Sequence, residues 1–229
     1  YSIGGYSETG YSQIIEKYND TENTWQYVTD VPNEAKGYTA EAIGSKIYII
    51  GGYQNNQFSN AVLVYDLDTS EWSNITNMNK ARDGAASAVV GENIYVIGGR
   101  DGSGYVKSYE IYNISTDTWE LVTSRFDGTM IRYGADAEIV NNRLFVWGGL
   151  SVDYQYVGMN MYSGTNFSES QEIVPQGNEN ITAAWGLDKG LIFVGSGDGN
   201  EYSTVQEINV SDEGDIVIND TSFVKEVPR

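Results

Sequence analysis

Apolar residues in this chain come in short runs that stop on glycine. Ile47-Tyr48-Ile49-Ile50 leads into Gly51-Gly52, Ile94-Tyr95-Val96-Ile97 into Gly98-Gly99, and Leu144-Phe145-Val146-Trp147 into Gly148-Gly149. Ser2-Ile3 precedes another pair at Gly4-Gly5, and Leu191 to Val194 precedes a degraded one at Gly195-Ser196-Gly197. The steps are 47, 47, 50 and 47 residues. Four nearly continuous apolar residues bounded by turn signals predict a strand covered on both faces. A second marker keeps the same beat. Tyr18, Tyr65 and Tyr112 are each followed seven residues later by Trp25, Trp72 and Trp119, with a weaker echo in Tyr162 and Phe167.

Each unit reads as four short strands. In the second, Thr39 to Ile43 is a strand of small residues, Gly44-Ser45-Lys46 turns, and Ile47 to Ile50 follows. A polar loop runs from Tyr53 to Gln57, Ala61 to Tyr65 is the third strand, and Trp72 opens the fourth. The third unit repeats this order through Ala85 to Val90, Ile94 to Ile97, Val106 to Tyr112 and Trp119. The fourth runs through Ala135 to Val140, Leu144 to Trp147, Tyr156 to Tyr162 and Phe167. The fifth runs through Ile181 to Trp185, Leu191 to Val194, Thr204 to Val210 and Ile216 to Ile218. Proline stands only at 32, 175 and 228, between these elements, where no ladder hydrogen bond is lost.

Sheets this small cannot stand alone, and packing neighbours radially hides their faces. Small residues such as Ala85, Ala86, Ser87 and Ala88 suit the crowded axis. A glycine pair permits positive φ or close backbone approach, and the tyrosine and tryptophan fill the wider gap between sheets. The segments "IYIIGG", "IYVIGG" and "LFVWGG", with "KYNDTENTW", "VYDLDTSEW" and "IYNISTDTW", resemble the kelch family of β-propellers over essentially the whole chain. The fifth unit departs from that pattern, with Ser196 splitting its glycines and Ile216 in place of tryptophan. The expected fold is all-β, a propeller of five blades of four antiparallel strands in one domain, 1–229. Its repeats are about 1–32, 33–79, 80–129, 130–176 and 177–221. The first blade lacks its innermost strand, and a closing strand at 222–227 is expected to pair beside Ser2-Ile3 and join the ends.

Composition narrows the chemistry. The formal charge of −19 comes from 32 acidic and 13 basic residues, a field that repels phosphate backbones and anionic membranes. Nucleic-acid partners are therefore not expected, and no stretch approaches the roughly 20 apolar residues of a membrane span. With no cysteine and no histidine, thiolate and imidazole metal sites are excluded, as are Cys or His nucleophile–base pairs. No cofactor is expected. Two oxygen-rich loops, Asp198-Gly199-Asn200-Glu201 and Asp212-Glu213-Gly214-Asp215, admit calcium chemistry, although Asp-Gly is ordinary turn composition. Oligomeric state is left open, and an extracellular or cell-surface location is favoured over a cytoplasmic one.

In sheets of four sequential strands, the loops after strands two and four emerge on one side, and such loops collect binding residues. Basic residues there stand out against the acidic background. Arg82 and Arg132 each lie two residues before a strand-opening glycine, and Arg100 directly follows a glycine pair. The resemblance implies arginines around a central mouth that hold carboxylates of a peptide or an acidic sugar. Tyr38, Tyr53, Tyr105, Tyr133 and Tyr156 lie in the same loops and suit stacking. The structural alternative is that the arginines pair with Asp83, Asp101 or Asp136. The leading functional expectation is a non-catalytic module recognising a peptide or glycan. The alternative is a carbohydrate-active enzyme, epimerase- or hydrolase-like, with a carboxylate and arginine at the mouth, where a carboxylate of raised pKa is required.

Overall fold

The computed structural model describes residues 1–7, 10–33, 35–123, 131–140, 143–153, 159–163, 169–174, 181–187, 190–196, 203–210 and 216–221, with backbone alone beyond residue 153. All regular structure among them is β. The first sheet holds β1 (Ser2–Ser7), β2 (Gly10–Asn19) and β3 (Thr24–Asp30) in that order. The second follows as β5 (Thr39–Ile43), β6 (Lys46–Ile50), β9 (Val62–Asp66) and β10 (Glu71–Asn74). The third holds β11 (Ala86–Val90), β12 (Asn93–Ile97), β15 (Tyr109–Asn113) and β16 (Thr118–Val122). The fourth and fifth are β17 (Tyr133–Val140), β18 (Arg143–Leu150), β19 (Met159–Ser163), β20 (Glu169–Val174), then β21 (Ile181–Leu187), β22 (Gly190–Ser196), β23 (Ser203–Val210), β24 (Ile216–Thr221).

Neighbouring sheets meet first through their leading strands: β5 packs on β11, β11 on β17, and β17 on β21. Those strands are therefore nearest the axis, and small side chains allow the approach. Ala86 and Ala88 of one sheet share a buried cluster with Ala137 of the next. The second strands carry the deepest apolar residues, Ile47 to Ile50, then Ile94, Val96 and Ile97, and Leu144 to Trp147, as expected of strands covered on both sides.

The sheets are less uniform than five identical blades. The first has three strands, and residues 222–227, expected to complete it, lie outside the described residues. Two stretches expected to be polar loops instead form small sheets at one end of the fold. One contains β4 (Ala35–Lys36), β7 (Tyr53–Gln54) and β8 (Gln57–Phe58); the other contains β13 (Arg100–Asp101) and β14 (Gly104–Tyr105). A tight turn accounts for the first hairpin, because Asn55 and Asn56 take φ of 49° and 59°, the left-handed region that asparagine tolerates.

The glycine pairs use both properties expected of them. Gly51 and Gly52 have φ of 72° and 91°, and a Cβ on Gly52 would come within 2.8 Å of the Lys36 carbonyl. Any other residue there would be strained and would collide with the incoming chain. The aromatic pairs fill the gaps between sheets, with ring centroids 5.1 Å apart for Tyr65–Trp72 and 5.0 Å for Tyr112–Trp119. Each indole reaches back to the preceding sheet, Trp72 Nε1 donating to Thr29 Oγ1 and Trp119 Nε1 to the Thr76 carbonyl.

Candidate functional site

The mouth is built from two repeating slots. Immediately before the glycines that open the inner strands stand Lys36, Asp83 and Tyr133. Just after the glycine pairs stand Tyr53, Arg100 and Leu150, and backbone pairing sets Lys36 against Tyr53, Asp83 against Arg100, and Tyr133 against Leu150. Around the ring, Gly84 N donates to the Gly37 carbonyl at 2.7 Å and Gly134 N to the Gly84 carbonyl at 2.8 Å. These bonds fix the three copies of this pairing side by side at one end of the axis.

Arg100 is the cation this frame presents. Its side chain keeps 45% exposure, whereas Asp83, whose Oδ2 accepts from Arg100 Nε at 2.9 Å, is 1% exposed. The guanidinium carbon lies 4.0 Å from the Tyr133 ring centre, and Nη2 donates to the Tyr133 hydroxyl at 3.2 Å. Asp83 Oδ1 is buried without a hydrogen-bond partner among the described residues and sits over Gly37, where a Cβ would collide with it. Asp83 thus aims Arg100 from below, and the tyrosine supports its flat face. Desolvation, and next the Asp83 charge, raise the Tyr133 pKa, so that phenol stays protonated at neutral pH. Lys36, one slot earlier, donates to the Tyr11 hydroxyl at 3.3 Å and is within electrostatic reach of Asp83 and Tyr133.

Arg82 and Arg132 do not line this mouth, which corrects the expectation for both. Each is 1% exposed. Arg82 donates from Nη1 to the Gly98 and Ser108 carbonyls, both at 2.8 Å, and from Nη2 to Ser108 Oγ at 2.8 Å and Glu110 Oε1 at 3.2 Å. Its own carbonyl accepts from Gly52 N at 2.7 Å. Arg132 repeats the scheme one sheet on, its Nη1 donating to the Val146 carbonyl at 3.2 Å and its carbonyl accepting from Gly99 N at 2.8 Å. Each arginine therefore rivets one sheet's glycine pair to the strands of the next. Glu110 completes the joint, accepting from Asn79 N at 2.6 Å and Lys80 N at 3.0 Å. Its partner is Glu110 rather than the aspartates considered from sequence. The rivet serves the mouth indirectly, since it holds the segment from which Asp83 reaches Arg100.

The predicted tyrosines divide. Tyr53 and Tyr133 are at the mouth, and Tyr105 pairs with Arg100 in the β13–β14 hairpin. Tyr38 packs instead against the core between the first and second sheets, its hydroxyl against Gly4, and burial raises its pKa. Tyr156 and both oxygen-rich loops lie outside the described residues.

Carboxylates stand further along the axis. Asp136, two residues past Gly134 and so ~7 Å along the strand, is reached by solvent. The surrounding protein still desolvates it enough to raise its pKa. Glu41 on β5 accepts from Ser87 Oγ at 2.6 Å, and desolvation together with the charges of Glu138 and Asp136 pushes it up to about 7. Glu138 is raised mainly by desolvation as well. Reading the sequence for arginines and aromatics missed Lys36, Glu41 and Glu138, and it named Asp83 and Asp136 only as arginine partners, a pairing that the structure shows for Arg100 with Asp83. Lys36 and Asp83 share one slot across repeats, and aligning the units by their opening glycines would have exposed it.

A protein-family profile described as the KLHDC2/KLHL20/DRC7 Kelch-repeats domain matches residues 1–149 and, in a second overlapping match, 37–214. No curated protein sequence matches the chain. Among solved structures, that of YjhT aligns with a TM-score of 0.70 at 17% identity, covering 94% of this chain and 79% of that one. At that identity the likeness concerns the fold alone.

Proposed function

Because the chain belongs to the kelch-repeat family of β-propellers, we propose that its mouth binds a carboxylate-bearing sugar and performs proton-transfer chemistry on it, as an epimerase- or hydrolase-like site. One observation carries the reading: a half-exposed arginine, aimed by a buried aspartate, is backed by Tyr133, and Asp136 of raised pKa lies three residues further along the strand that Tyr133 opens. Asp83 occupies Nε of Arg100 and leaves terminal N–H donors for an oxyanion, the fork geometry that suits a carboxylate. A sugar anchored there by its carboxylate directs its ring down the axis toward Asp136. A carboxyl with raised proton affinity can release a proton to a leaving oxygen or take one from a ring carbon. Tyr133, held protonated, adds a donor beside the anchor.

A peptide-binding module would share the arginine anchor but has no use for a carboxyl of raised proton affinity beneath it. The test is therefore twofold. Acidic sugars, glucuronic acid and a sialic-acid-type keto sugar, are titrated calorimetrically, and proton exchange or glycoside cleavage is followed by NMR in deuterated water. Arg100→Ala should weaken binding at least tenfold. Asp136→Asn should keep binding and lose turnover by a hundredfold or more. Binding with neither exchange nor cleavage in the wild-type chain would leave the mouth a recognition surface and end the catalytic reading.

A further inference from the structure

We propose that the groove beside Lys36 is a second anionic subsite, so that the ligand is an acidic oligosaccharide with at least two carboxylate-bearing units. This rests on the reading of Arg100 as the anchor for the first. The groove has a volume of about 270 Å³, and its walls include Tyr11, Lys36, Tyr53, Gln54, Asn55 and Asn56. Lys36 Nζ lies 5.2 Å from the Tyr11 ring centre and 5.4 Å from that of Tyr53.

The way its ammonium is held is what points to a ligand. Among the described residues no carboxylate lies within ion-pair distance of Lys36. Two aromatic faces and a phenol oxygen hold the ammonium instead, and the Tyr11 hydrogen bond raises its pKa, keeping it charged. A cation held this way is ready for an external anion.

The remaining walls suit a sugar. Gln54, Asn55 and Asn56 offer amide donors and acceptors to hydroxyls, and the left-handed Asn55–Asn56 turn presents two of them from a tight hairpin. Tyr11 and Tyr53 supply apolar ring faces. The bond from Gly84 N to the Gly37 carbonyl places the Lys36 slot directly beside that of Asp83, one sheet before the arginine anchor. Packed sheets are ~10 Å apart, a span that linked sugar units bridge.

Calorimetric titration of the 229-residue chain with galacturonic acid, digalacturonate and trigalacturonate tests this, using neutral galactobiose as control. The dimer should bind at least tenfold more tightly than the monomer. Lys36→Met should remove that gain, so that the dimer binds no more tightly than the monomer, and Lys36→Arg should retain it. Arg100→Ala should weaken monomer and dimer alike. A dimer no tighter than the monomer, or a gain that survives Lys36→Met, overturns the subsite and leaves the Arg100 anchor standing. Failure of every uronate to bind, or binding indifferent to Arg100→Ala, overturns the anchor and the subsite together.

Discussion

The first and third sheets carry the same Tyr–Trp signature and treat it differently. Tyr112 is 3% exposed and stacks on Trp119, whose indole is tied to Thr76 of the sheet before it. Tyr18 and Trp25 make an equivalent ring pair, with centroids 5.2 Å apart, yet they are 42% and 52% exposed. Among the described residues, six of the seven exposed large hydrophobics, Tyr1, Tyr11, Ile14, Tyr18, Trp25 and Tyr27, belong to this first unit. The local geometry of the motif is thus set within its own sheet, through the hairpin that brings residues seven apart together. Its burial comes from the sheet that precedes it. Trp72 reaches Thr29 and Trp119 reaches Thr76, residues four positions beyond the preceding tryptophan in each case, while the Trp25 indole has no acceptor among the described residues. In a repeat fold, stability therefore resides at the joints between units as much as inside them.

The joint at Arg82 offers the largest effect. It ties the second sheet's glycine pair to the third sheet through a fully buried ion pair, whereas the first sheet is joined to the second without such an arginine, since Ala35 occupies that slot. Arg82→Ala would leave the buried Glu110 side chain without its ion-pair partner and release the Gly98 and Ser108 carbonyls. A loss of about 3–5 kcal/mol is expected in chemical denaturation. A loss below about 1 kcal/mol would mean that the joints contribute little and that each sheet is held by its own core.

A smaller effect is expected at the seam between the second and third sheets, where Glu41 meets Ser87. The folded pKa of Glu41 is raised from 4.5 to about 7, so between those values the native state holds a proton that the unfolded chain has released. Stability from this group accordingly falls as pH rises from 4.5 to 7, and the penalty is complete above 7. Glu41→Gln should remove that slope and stabilise the protein at pH 8 by up to ~3 kcal/mol, with little change at pH 4.5. Melting curves across this range check it. An unchanged pH profile would place the carboxyl in a better solvated setting than the seam provides.

Much of this architecture was legible in the sequence because the repeat writes its punctuation in residue types with few alternatives. Gly51-Gly52 needs positive φ and bare backbone, and Trp72 and Trp119 need a wide gap, so the same letters return at the same spacing. Arg82 and Arg132 return in the same way, and identity of position was read as a shared ligand. Their recurrence instead reflects a shared joint, because the carbonyls that absorb them, at Gly98, Ser108 and Val146, come from strands whose proximity only the fold creates. The mouth had the opposite difficulty. Lys36, Asp83 and Tyr133 occupy one slot with three different chemistries, so nothing recurs to draw attention. Glu41 and Asp136 are ordinary acidic residues on small-residue strands until neighbouring sheets desolvate them. The short hairpins after the glycine pairs were hidden by polar composition, which a two-strand ribbon at the surface shares with a loop.

The smallest effect tests the opening comparison itself. Trp119→Ala removes a partly buried indole, its bond to the Thr76 carbonyl and its stacking on Tyr112, and should cost about 2 kcal/mol or more. Trp25→Ala removes the same side chain from the same local geometry with no preceding sheet against it among the described residues, and should cost under ~1 kcal/mol, mostly through its contact with Tyr18. Because Trp25 and Trp119 differ chiefly in what lies behind them, the difference between the two variants isolates the sheet-to-sheet term, about 1–2 kcal/mol per joint. Fluorescence of single-tryptophan variants gives an independent reading: emission from Trp25 should be redder and more readily quenched by acrylamide than emission from Trp119. Equal costs and equal quenching would show that a neighbouring sheet covers Trp25 in solution as well, and that the first unit is joined on both sides.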